Sequence, residues 1–284
     1  MMSDAYALVL QANHPFESER LNLLLSLSGA SRIETPMQGV ARLPDANPAV
    51  RDRVATHCEA WGWDAAFVPA RMRFEDIRLV VSDMDSTLIT IECIDEIADM
   101  LGIKPQVAAI TERSMRGELD FRASLTERVA LLAGLDEHAL EQVYRERLRM
   151  TDGAEQLLST CKQYGVKFML VSGGFTYFTD RLKARFGLDY TFSNQLEVEN
   201  GKLTGRVLGD IVDAEAKRAL LIRIRDELGL DPAQVLAVGD GANDLKMLTE
   251  AGIGVAFRAK PVVRAQADVA INHGGLDAIV RLFA

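Results

Sequence analysis

Cysteine is scarce in this 284-residue chain: Cys58, Cys93 and Cys161 are odd in number, widely spaced and form no C-x-x-C pair. Nothing here builds a disulfide framework, and the pattern suits a reducing compartment. Histidine numbers four (His14, His57, His138, His273), all away from the acidic segments described below, so zinc is not expected. No apolar run approaches the ~20 residues that cross a bilayer. Met1-Met2-Ser3-Asp4 lacks the basic opening of a signal peptide, and a cytoplasmic setting is the default expectation. An excess of positive charge is missing too. Lys and Arg total 32 against 41 Asp and Glu, a net charge of −9, which disfavours nucleic acid or an anionic membrane as partner. There is no internal repeat and no low-complexity segment.

What is present is an α/β alternation. A chain this long exceeds the usual single core, so one large and one small domain are expected. The boundary falls near the charged stretch 69–76. Upstream, residues 6–10 and 65–68 read as strands and residues 17–27 and 49–61 as helices, a small α/β unit over 1–76. Its layout suggests a regulatory, amino-acid-binding (ACT-like) module or a dimerising appendage. Downstream, residues 94 to about 150 show helical patterns only, with an apolar face along 125–132. An all-helical insertion placed there is a cap that closes over a site and sheds water. The core resumes at Gly153. Residues 196–204 form a hairpin turning on Asn200-Gly201, the pair preferred in type I′ turns, and 268–271 is the last strand.

Four segments carry chemistry. The apolar run 77–82 ends in Asp83-Met84-Asp85-Ser86-Thr87, two carboxylates at the carboxyl edge of a sheet, where open α/β folds keep their sites. Alternate residues of a strand face opposite ways, so the backbone must turn between them if both serve one site. Alone, the pair reads more readily as a strand-to-helix loop with Asp85 or Ser86 as helix cap. The second segment, 167–171, runs into Ser172-Gly173-Gly174-Phe175, a phosphate cradle or an ordinary strand-to-helix turn. The third is Lys217, on a helix over 214–228 capped by Asp213. The fourth is the strand 235–238 followed by Gly239-Asp240-Gly241-Ala242-Asn243-Asp244, which capping alone does not explain. Together they supply oxygen-rich ligands suited to a hard cation such as magnesium.

These residues, in this order, resemble the haloacid dehalogenase superfamily of phosphotransferases. Its D-x-D-x-T signature reads Asp83-Met84-Asp85-Ser86-Thr87, and Ser172, Lys217 and Gly239-Asp240…Asp244 match its later motifs. Within the superfamily the chain is similar to the phosphoserine phosphatase family. That likeness rests on Asp83-Met84-Asp85-Ser86-Thr87-Leu88 followed by Glu92, on Ser172-Gly173-Gly174-Phe175, and on the cap stretch Met115-Arg116-Gly117-Glu118-Leu119-Asp120-Phe121 with Arg128. It covers residues 77–284 without departing at any motif position; residues 1–76 carry none of it.

The resemblance implies a Rossmann-like core with a parallel sheet and a helical cap inserted after the first catalytic strand. It implies hydrolysis of O-phospho-L-serine, the last step of serine biosynthesis, through an aspartyl-phosphate. Asp83 is then the nucleophile and Asp85 the acid–base. Mg2+ is held by Asp83, Asp240 and the backbone carbonyl of Asp85, with Asp244 as outer-shell support. Ser172, the Gly173 amide, Lys217 and Asn243 hold the phosphoryl oxygens. Glu92 meets the substrate ammonium, Arg128 its carboxylate, and Met115 and Phe121 form an apolar wall. Three rivals remain. Two share the chemistry: hydrolysis of another small phosphomonoester, and phosphoryl transfer to a second alcohol such as homoserine. The third is a serine-sensing regulator, disfavoured by the intact set Asp83, Asp85, Lys217 and Asp240.

Overall fold

Short runs of Val, Leu, Ile and Ala, buried on both faces in the central strands, build the middle of one continuous sheet in the computed structural model, which describes residues 5–284. The reading of Met1 to Asp4 lies outside the described residues. The chain opens β1 (Tyr6–Gln11), α1 (Ser18–Ser28), β2 (Glu34–Met37), β3 (Val40–Ala46), α2 (Arg51–Trp61), β4 (Asp64–Pro69). This β-α-β-β-α-β unit is an antiparallel sheet in the order β2-β3-β1-β4. The strands β2 and β3 are absent from the sequence reading because Pro36 and Pro44 break their pattern. In the structure Pro36 sits on an edge strand, and Pro44 sits where the β1–β3 register shifts, the two places a missing N–H is tolerated.

The second half begins with β5 (Leu79–Ser82) and then leaves the sheet. Four helices follow: α3 (Cys93–Met100), α4 (Lys104–Met115), α5 (Phe121–Ala130) and α6 (His138–Gln142). Ile89 bridges Met150, and Thr90 and Thr151 N–H donate to Arg149 and Leu88 carbonyls at 3.0 Å, so both ends of this cap return to one stalk. Alternation then resumes with α7 (Ala154–Tyr164), β6 (Lys167–Phe175), α8 (Thr176–Phe186), β7 (Tyr190–Glu199), β8 (Lys202–Leu208), α9 (Ala214–Glu227), β9 (Val235–Gly239), α10 (Leu245–Glu250), β10 (Ile253–Phe257), α11 (Pro261–Arg264), β11 (Val269–Ile271) and α12 (Ala278–Arg281).

Strands β11-β10-β9-β5-β6-β7 are parallel. After β5 the chain builds β6 on one side and β9 on the other, so β5 marks the switch point where the carboxyl edge opens into a crevice. The β7–β8 hairpin turns on Asn200 (φ 51°) and Gly201 (φ 74°), both positive as a type I′ turn requires. It also props the cap: Gly134 N–H donates to the Leu203 carbonyl and Leu203 N–H to the Leu135 carbonyl, each at 2.8 Å.

The two halves share backbone hydrogen bonds. β4 pairs antiparallel with β11, and the buried Asp64 carboxylate accepts N–H groups of Asn272, His273 and Gly274 just beyond that strand. Gln11 Nε2 donates to the Ala278 carbonyl at 2.9 Å, and Arg42 reaches the carbonyls of Leu282 and Ala70. The N-terminal unit thus extends the central sheet to eleven strands.

Candidate active site

Asp83 leaves β5 with extended backbone, and the chain turns at once. Met84–Leu88 forms one wide turn closed by Ile89 N–H to the Met84 carbonyl at 3.0 Å. Inside it Asp85 is extended and Ser86 is left-handed (φ 54°), a conformation a serine adopts only where the surroundings hold it. The turn delivers both carboxylates to one cavity. Asp85 is fixed at both oxygens: Cys93 N–H donates to Oδ1 at 2.9 Å and Ser172 Oγ to Oδ2 at 3.3 Å. Burial raises its pKa, against the lowering effect of the Cys93 N–H.

Beneath Asp83 lies Lys217, fully buried on α9. Its Nζ is 2.8 Å from Asp83 Oδ1 and 2.7 Å from Asp244 Oδ1. Asp244 is also buried, and its Oδ2 accepts Gly241 N–H at 3.0 Å. Asp240 hangs from the same loop and accepts from Thr87 Oγ1 at 3.2 Å. One oxygen from each of Asp83, Asp240 and Asp244 lies within 4.8 Å of the others. Three carboxylates around one ammonium leave excess negative charge. Burial and then Asp244 raise Asp83 well above the usual carboxylate range and Asp240 to about 6. Burial opposes the Lys217 charge, but Asp244 and Asp83 outweigh it and raise its pKa. An oxygen-only, undercompensated cluster of this kind suits a hard divalent cation.

The cap closes the other side. The cavity, about 440 Å³, is lined by Asp83, Asp85, Glu92, Phe121, Arg128, Gly173, Asp240 and Asn243, all expected from the sequence. Phe121 lies so close over Gly173 that a Cβ there would meet the ring at 2.7 Å. Glu92 accepts from Ser86 Oγ at 2.7 Å; burial, then Asp85, push it up to about 7. Burial lowers Arg128 while Asp95, Glu92 and Asp85 support its charge.

Four expected residues are placed otherwise. Met115 is 68% exposed at the end of α4, outside the cavity wall, with its Sδ 3.9 Å from Lys260 Nζ. Ser172 and Lys217 are buried behind the wall and act on Asp85 and Asp83. Asp244, expected only as outer support, joins the carboxylate cluster. The structure adds Asp95, Thr111 and Lys260 to the lining and Thr87 to Asp240. Of these, Thr87 carried a signal, as the last position of D-x-D-x-T. Lys260, following β10, comes near only through sheet order.

A model of haloacid dehalogenase-like hydrolases matches residues 77–252, and a domain of unknown function matches residues 8–54. Sheet, cap and carboxylate cluster are those of that class, and the chain is a haloacid dehalogenase-like hydrolase. A phosphoserine phosphatase of Polaromonas sp. is 54% identical over 216 residues, 74% of this chain and 92% of the relative. The solved structure of a probable phosphoserine phosphatase from Vibrio cholerae superposes with a TM-score of 0.82 at 37% identity, covering 99% of this chain and 86% of that one. A haloacid dehalogenase family hydrolase from Salmonella enterica serovar Typhi gives 0.89 at 32% identity, covering 98% of both. Within its class, the chain belongs to the phosphoserine phosphatase family.

Proposed function

We propose that this chain hydrolyses O-phospho-L-serine to L-serine and phosphate, the last step of serine biosynthesis. The observation that carries the reading is one cavity holding Asp83 and Asp85 on the core face and Glu92 and Arg128 toward the cap. A phosphomonoester that also bears an ammonium and a carboxylate matches that division. The names of the relatives support it.

Asp83 attacks phosphorus in line and forms an aspartyl-phosphate, splitting hydrolysis into two displacements. Lys217 aims that carboxylate and lowers its pKa against the raising effect of burial. Asp85 protonates the departing serine oxygen and then accepts a proton from the attacking water. The Gly173 amide and Asn243 hold the phosphoryl oxygens, with Ser172 and Lys217 supporting from behind. Glu92 pairs with the ammonium, Arg128 with the carboxylate as a charge-assisted fork, and Phe121 walls the pocket. Asp83, Asp240 and the Asp85 carbonyl would hold Mg2+, with Asp244 behind, because the donors are all oxygen. When bound, the ion supplies charge neutralisation for the transferring group.

We carry residues 1–76 as a domain whose role is regulatory or dimerising, and a cytoplasmic setting supported by three unpaired thiols. Among the described residues no helix is long and apolar enough to cross a membrane. The test is phosphate release from a panel of phosphomonoesters, with Mg2+ or chelator, and with homoserine added. Mg2+-dependent release fastest from phosphoserine is expected. Equal release from all esters, or transfer to homoserine exceeding hydrolysis, would overturn the reading.

A further inference from the structure

Asn194 lies in β7, belongs to none of the sequence motifs, and is 1% exposed with both its amide nitrogen and its amide oxygen hydrogen-bonded. Its Nδ2 donates to the Gly173 carbonyl at 2.7 Å and its Oδ1 accepts Val212 N–H at 2.8 Å. A carbonyl on one side and an N–H on the other leave one orientation of the amide that satisfies both.

The Gly173 carbonyl shares its peptide plane with Gly174 N–H, which donates to Ser172 Oγ at 2.8 Å. A hydroxyl that accepts there has a single proton to give, and Ser172 Oγ gives it to Asp85 Oδ2 at 3.3 Å. The approach is tight: a Cβ on Gly174 would meet Asp85 Oδ2 at 2.6 Å. Rotation of this peptide plane would therefore move Ser172 and crowd Asp85 together. At its other end Asn194 holds Val212, one residue before the Asp213 cap of α9, which carries Lys217.

We propose that Asn194 is a positioning residue for Asp85, acting through the Gly173–Gly174 peptide and the Ser172 hydroxyl. The inference rests on the acid–base reading of Asp85 and deepens it. Asn194 does not line the cavity, so its loss falls on turnover and leaves recognition of the serine end alone.

A double-mutant cycle on the full chain tests this. Asn194→Asp keeps the size and the acceptor for Val212 but offers the Gly173 carbonyl no donor. It is expected to lower kcat for phosphoserine by about tenfold or more, with KM within roughly threefold, a loss of about 1.4 kcal/mol per tenfold. Ser172→Ala should lower kcat as well. In the Ser172→Ala background, Asn194→Asp should then cost less than about twofold, because coupled residues are non-additive. Asn194→Ala, which introduces no charge, is taken through the same cycle and should show the same non-additivity. Additive losses in both cycles, or wild-type kcat in both Asn194 variants, overturn the inference. An inactive Asp85→Asn beside additive cycles sinks the Asn194 role alone. A fully active Asp85→Asn sinks the acid–base reading beneath it.

Discussion

Lys217 Nζ stands between Asp83 and Asp244, 2.8 Å from one and 2.7 Å from the other, with no water-exposed surface of its own. The ammonium joins the end of β5 to the β9 loop, and on the proposed mechanism it serves the fold and the chemistry together. Breaking a buried ion pair by removing one partner costs on the order of 3–5 kcal/mol. Lys217→Ala should therefore lower the melting temperature measurably and depress turnover of every phosphomonoester. A variant that melts with the wild type and loses only phosphoserine turnover would refute this dual role.

Covalency is tested at Asp83. Asp83→Asn should abolish turnover, because a neutral amide is a poor nucleophile and a weaker cation ligand. Beryllofluoride with Mg2+ should mimic the aspartyl-phosphate in the wild type. Near-normal activity in the variant rules the scheme out.

Recognition is separable from chemistry. Arg128→Ala removes a charge-assisted contact worth about 1.5–3 kcal/mol. It should lower kcat/KM for phosphoserine by roughly one to two powers of ten, since about 1.4 kcal/mol is tenfold. Hydrolysis of p-nitrophenyl phosphate, which lacks the amino-acid end, should barely change. An equal fall for both substrates would remove Arg128 from carboxylate recognition.

Glu92 predicts a pH dependence. Burial and Asp85 push it up to about 7, so its carboxylate is charged above that pH and neutral below. Pairing with the substrate ammonium is present on the alkaline side and is lost as pH falls through about 7. The ratio of phosphoserine to p-nitrophenyl phosphate kcat/KM should decline from pH 8 to pH 6. Glu92→Gln should flatten that decline; a slope unchanged in the variant assigns it elsewhere.

The thiols should be inert. Burial pushes Cys58 and Cys161 up to about 12 and raises Cys93 well above its ordinary value, and the thiolate is the reactive form. At pH 8 a thiol-specific chromogenic disulfide should titrate almost none of the three in the native protein and all three in denaturant. Rapid native labelling of Cys93, beside Asp85, would show that the cap opens far more than the structure indicates.

Much of the site was legible because its chemistry is local. Asp83, Asp85, Asp240 and Asn243 lie within a few residues of the ends of β5 and β9 and Gly173 near the end of β6, and a parallel sheet brings such strand ends to one edge whatever the loops do. Family resemblance added the cap residues Glu92, Phe121 and Arg128, which no spacing argument from this chain alone would have joined to the core. The hairpin turn was legible for the same local reason, since Asn200-Gly201 favours one backbone shape. Tertiary structure alone decided the rest. The strands β2 and β3 carry prolines that erase their pattern, and only their neighbours rescue them. The pairing of β4 with β11 joins residues about 200 positions apart through backbone groups, which leave no mark on side-chain sequence. Met115 is left outside the wall by the end of α4, and Lys260 is carried in by strand order. Ser172 reaches Asp85 through its own hydroxyl and Asn194 holds the Gly173–Gly174 peptide beside it, so their roles depend on where hydrogen-bond partners fall in space. Partners of that kind are set by packing, after the chain has folded, and no residue type announces them.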